Sequence, residues 1–146
     1  MQNFNSGALP NGIGAFTVIF GTLIVFAIML VPTIFYILTL QKALGRCAPE
    51  NQAMQPGLVW LLVIPCFNLI WHFFVVLNMA KSLGAEFQKR GIAEEPAPGK
   101  ALGLTMCILL CCTPIPLLGI LATLGYLVCW ILYWVKIAGY SQKLAV

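Results

Sequence analysis

The chain has 146 residues, of which 61% are hydrophobic and 8% charged, and its formal net charge is +4. Soluble domains carry roughly 25% charged residues, so a chain this apolar would show water large hydrophobic patches, and an ordinary water-soluble domain is excluded. The positive charges are few, dispersed and mixed with Glu86, Glu94 and Glu95, which excludes a nucleic-acid interface and leaves lipid headgroups as the natural counterpart.

Residues 1–41, 51–80 and 101–135 contain no Lys, Arg, Asp or Glu. A bilayer core of about 30 Å needs roughly 20 apolar residues as a helix, and a charge at its centre costs about 2.5–3.5 kcal/mol. The pattern predicts an all-α fold: a polytopic transmembrane helical bundle of about four helices, forming a single membrane domain over 1–146.

The N-terminal stretch Met1 to Gly12 is uncharged and lacks a basic n-region. The apolar run that follows is too long for a signal-peptide h-region of about 7–15 residues. The expectation is a retained first span at about 13–40, with Pro32 inside it. Gly14, Thr17 and Gly21 share one face of that span, and small residues there let another helix approach closely, within the molecule or in an oligomer. A polar loop, 41–55, leads to a second span at about 57–80 with Pro65 near its middle, where the proline ring would free the Leu61 carbonyl.

Asn68 and His72 lie four residues apart in that span, one turn beyond Pro65, so Pro65, Asn68 and His72 form a candidate polar intramembrane face. They act either as hydrogen-bonding glue between helices or as the wall of an ion, ligand or proton site. The segment 81–100 is expected to be cytoplasmic: its first half, with Leu83 and Phe87, as an interfacial helical extension, and its second half as a linker.

As one helix, 101–139 would be about 60 Å long, so the "TPIP" of Thr113–Pro116 must break it. A short or re-entrant third helix is expected at about 101–113, and a fourth at about 117–139. On the fourth, Gly119 and Ala122 begin a stripe spaced by three and four that continues through Tyr126, Tyr133 and Lys136. Its small end predicts helix packing, and Tyr126, Tyr133 and Lys136 form a candidate cavity or interface stripe. With this topology six Lys and Arg fall on one side, and Lys42 and Arg46 fall on the other. The majority side, holding both termini, is expected to be cytoplasmic.

The catalytic inventory is thin. Asp is absent, every Glu lies outside the expected spans, and no phosphate loop, HExxH or GxSxG occurs. His72 is the only histidine, and the six Cys form no CxxC pair, so neither a metal nor another cofactor is expected.

"MQPGLVWLLVIPCFNLIWHFFVV" (54–76), with "VCWILYWVKIAGYSQKL" (128–144), resembles uncharacterised small bacterial four-span membrane proteins. Their W-x3-IP-x2-N-x2-W pattern falls here on Trp60, Ile64, Pro65, Asn68 and Trp71. The resemblance implies a bacterial inner membrane and carries no activity. The expected function is therefore non-catalytic: an oligomer-forming or accessory subunit whose partners are the lipid bilayer and further copies or other membrane subunits. An oligomeric channel or transporter-like pore, lined by the Pro65, Asn68 and His72 face, is the alternative. A membrane enzyme or cofactor-binding protein is the third.

Overall fold

The computed structural model describes residues 11–116 and 118–145. Met1 to Pro10 and Leu117, the expected start of the fourth helix, lie outside the described residues. Four α-helices carry the chain: α1 (Asn11–Gly45), α2 (Pro65–Arg90), α3 (Lys100–Cys112) and α4 (Leu118–Lys143), with 3-10 turns at Pro49–Asn51 and Pro56–Val63. No strand occurs among the described residues. Two helical segments, Gly14–Gly45 and Leu118–Lys143, are long and apolar enough to cross a membrane.

The chain divides into two compact units, Met1–Phe35 and Tyr36–Val146. In the first, α1 runs through Pro32 without a break. Phe16, Ile19, Leu23, Phe26 and Met29 are exposed, a helix apolar on every side, as lipid tolerates. Thr22 and Thr33 return their hydroxyls to the carbonyls of Val18 and Met29, both at 2.8 Å.

The second unit has a continuous core. Ile37, Leu40 and Leu44 from α1 pack with Val75, Val76, Met79 and Leu83 from α2, Met106 from α3 and Ile137 from α4. Val59, in the 3-10 segment, joins the same core.

The expected second span is not one helix. Pro56–Val63 is 3-10, Ile64 is extended at φ −79° and ψ 111°, and α2 begins at Pro65. A residue before proline is driven out of the α region, and proline is well suited to the first helical position, where its missing N–H has no partner to lose. The Leu61 carbonyl is not freed; it accepts from the Ile64 N–H at 3.2 Å. Beyond this corner the chain doubles back: Trp71 Nε1 donates to the Leu58 carbonyl at 2.9 Å, and the Ala53 N–H to Ser82 Oγ at 2.9 Å.

The helix α2 continues through the expected extension to Arg90. Leu83 and Phe87 are buried on it, and Gly91, at φ 66°, closes it in the left-handed conformation glycine adopts without strain. The α3 and α4 pair form a hairpin through the expected break. Gly103 brings α3 against α2 and α4: a Cβ there would stand 2.5 Å from Val76 Cγ1 and 2.9 Å from Tyr133 Cε2.

This doubling back corrects the expected split of charge, which sets Arg46 on the side opposite 81–100 and the C-terminus. Instead Arg46 donates to Ser141, at 2.8 Å to Oγ and also to the carbonyl. Arg90 Nη2 donates to the Arg46 carbonyl at 3.3 Å. All eight Lys and Arg and all four Glu lie within 42–50, 81–100 and 136–143, three stretches that meet at one end of this unit. The corner at Ile64–Pro65 and the turn at 113–116 hold no ionised side chain.

Candidate functional site

The interior of the second unit holds an aromatic cluster built around Tyr36. From there α2 supplies His72, two turns after its start, and α4 supplies Trp130, Tyr133 and Trp134 at i, i+3 and i+4, all on one face. The Tyr36 hydroxyl and His72 Nε2 are hydrogen-bonded at 3.0 Å, the donor being set by the imidazole tautomer. The Tyr36 ring centroid lies 5.4 Å from Trp130, 6.4 Å from Tyr133 and 6.3 Å from Trp134. Trp134 Nε1 donates to Thr39 Oγ1 at 2.9 Å, which ties α4 to α1 one turn further on.

Three buried polar side-chain atoms of the second unit have no hydrogen-bond partner among the described residues: Asn68 Oδ1, His72 Nδ1 and the Tyr133 hydroxyl. Each such atom costs about 1–3 kcal/mol if nothing meets it, a cost that a water molecule or a small polar group would offset. No carboxylate enters the cluster. The arrangement can hold and orient hydrogen-bonding guests. No group of three or more metal-ligating side chains gathers among the described residues.

At the charged end the central group is Glu86, 2% exposed. Its Oε2 accepts from the Ala48 N–H at 2.9 Å and Asn51 Nδ2 at 2.7 Å, and its Oε1 from Arg90 Nε at 2.7 Å. Burial alone would push this carboxyl up, but hydrogen bonds from Asn51, Ala48 and Arg90, with the guanidinium charge, bring it down to about 2. Arg90 Nη1 also donates to the Leu144 carbonyl at 3.0 Å. Burial, with the Glu86 charge adding and Arg90 opposing, pushes the nearby Cys47 thiol up to about 11.

The residues singled out in the sequence are distributed as follows. His72 is buried in the aromatic cluster, and Asn68 presents one of the unpartnered atoms; Pro65 begins the helix that carries both, its side chain lying outside the described residues. The Tyr126, Tyr133 and Lys136 stripe divides. Tyr133 is fully buried in the cluster, Tyr126 packs at the core's edge, and Lys136 Nζ bonds Glu95 at 2.8 Å. Gly119 meets the Thr113 carbonyl of its own turn, and Ala122 is buried. A Cβ placed on Gly14 or Gly21 would meet nothing within 4 Å, and Thr17 lies between them.

Sequence reasoning misses Tyr36, Trp130 and Trp134, whose aromatic character at helix ends reads equally as interfacial anchoring. It also misses Glu86, for which the i, i+4 spacing to Arg90 is an available signal. Comparison with protein families, with curated proteins and with solved structures returns no match.

Proposed function

We propose that this chain is a non-catalytic integral membrane protein that assembles with further copies of itself or with other membrane subunits through the helix of its first unit. One observation carries the reading. Gly14, Thr17 and Gly21 line one face of a helix long enough to cross a bilayer, and no group among the described residues fills the space beside either glycine. In lipid, helices associate by close backbone approach across small residues. The first helix is then a membrane span. The two apolar hairpins, 56–80 and 101–135, enter from the charged face and return to it, since a 3-10 segment of 8 residues reaches about 16 Å and α3 about 20 Å. By the excess of lysine and arginine that face is cytoplasmic, in the inner membrane of a bacterium as the sequence resemblance implies.

Gly14→Cys and Gly21→Cys variants oxidised in native membranes test the reading. A cross-linked dimer, or a stoichiometric adduct with one other subunit, is the expected result. A monomer at every oxidant level, together with a single-copy mass in mild detergent, would refute it.

A second reading rests on the three unpartnered atoms of Asn68, His72 and Tyr133. A line of water through the second unit would satisfy them and make it a conducting element of an oligomer. Proteoliposomes would then leak protons or small ions, and His72→Ala would change the rate. Flux at the level of empty liposomes removes this reading.

A further inference from the structure

We propose that a groove at the start of α3 binds an anionic phospholipid. The groove has a volume of about 460 Å³ and is lined by Glu95, Pro96, Ala97, Lys100, Ala101 and Leu104.

Its charge balance is one-sided. The Glu95 carboxylate is held by Lys136 at 2.8 Å, while Lys100 is exposed and its ammonium has no hydrogen-bond or ion-pair partner among the described residues. The remaining walls are apolar, and they are ordered. From Lys100 the helix descends away from the charged end, placing Ala101 and then Leu104 one turn deeper. A lipid lying here sets its phosphate against the ammonium and its first acyl carbons along Ala97, Ala101 and Leu104. The polarity of the groove thus follows the polarity of a lipid.

The rest of the charged end bears on specificity. Each Glu is engaged by a Lys or Arg: Glu50 by Lys89, Glu86 by Arg90, Glu94 by Lys143 and Glu95 by Lys136. Arg46 is occupied by Ser141. The ammonium groups of Lys42, Lys81 and Lys100 are left exposed without partners among the described residues, which makes the face net positive and favours an anionic over a zwitterionic headgroup by about fivefold per lysine. Of the three, only Lys100 lines the groove.

The proposal rests on the membrane reading, and the test separates the two. Membranes carrying the full chain are first washed with alkaline carbonate; release of the wild-type chain into solution would overturn both. The chain is then exchanged into vesicles of phosphatidylcholine and phosphatidylglycerol and moved to mild detergent, and the retained lipid is counted by native mass spectrometry. Wild type is expected to keep phosphatidylglycerol in preference, Lys100→Gln to lose that preference about fivefold, and Lys42→Gln to keep it. Ala101→Trp, which fills the groove and leaves the charge, is expected to abolish retention. Equal losses in Lys42→Gln and Lys100→Gln would mean diffuse attraction without a site, and retention unchanged in Ala101→Trp would place the lipid elsewhere; either result overturns the proposal.

Discussion

Removal of the Glu86 carboxylate is the most informative perturbation of the second unit. In the folded chain this group titrates at about 2 against an ordinary 4.5. At about 1.4 kcal/mol per unit of difference, its ionised form contributes on the order of 3 kcal/mol to folding at neutral pH. The sign follows from linkage: a depressed carboxyl contributes fully above its unfolded value and loses the contribution as pH falls through the folded one. Stability should therefore be flat from neutrality to about pH 5 and decline between about 4.5 and 2. Glu86→Gln should remove most of this contribution. Glu86→Ala should cost at least as much, because Asn51, Arg90 and the Ala48 N–H all lose their acceptor.

The cysteines provide the assay. Cys47 and Cys107 are buried at 3% and 0% exposure, so a thiol-reactive dye reports their release on heating in detergent. The expected fall in midpoint for Glu86→Gln at pH 7 is on the order of 10 °C, and the wild-type decline below pH 4.5 should be largely absent in the variant. If Glu86→Gln melts with wild type at pH 7, the carboxylate is not holding this end together.

Further substitutions test other parts of the same unit. Gly103→Ala forces a methyl group against Val76 and Tyr133 and should cost about 1–3 kcal/mol in the same melting assay. Gly139→Ala, with open space around it, should be neutral or stabilise α4 by up to about 1 kcal/mol. Tyr36→Phe leaves His72 Nε2 without its partner in the core and should cost about 1–3 kcal/mol. Lys89→Ala, which breaks an ion pair whose side chains are 54% and 60% exposed, should leave the midpoint unmoved.

The helical class and the break between α3 and α4 are legible in the sequence because they depend on local chemistry. Charge-free runs, the Thr113–Pro116 break and the linker composition of 91–100 each act within a few residues. The second segment misleads at one position. In the sequence Pro65 reads as a kink in a continuous span, whereas it is the first residue of a helix after a corner, and the periodicity of apolar residues looks the same on both sides of it. From that error follows the misplacement of Lys42 and Arg46, since counting lysines per side presupposes that every apolar segment crosses. His72 and Asn68 stand out by their polarity, but their partners do not. Tyr36 is 36 residues away from His72, and nothing local marks which of four tyrosines would meet it.

The charged end gives the two signs of charge different work. Each carboxylate engages a group distant in the chain: Glu50 reaches α2 through Lys89, Glu86 holds the 48–51 loop, and Glu94 and Glu95 tie the 91–99 linker to α4. Three of these contacts have an exposed partner and contribute little singly, so the junction depends on Glu86, the one carboxylate that is buried and bonded on both oxygens. With the acids engaged in this way, the excess of lysine is left facing outward. A chain with no acidic residues would present more positive charge to the membrane, but its three charged stretches would repel one another where they now meet. Four glutamates among eight cations allow the end to close and still leave it positive.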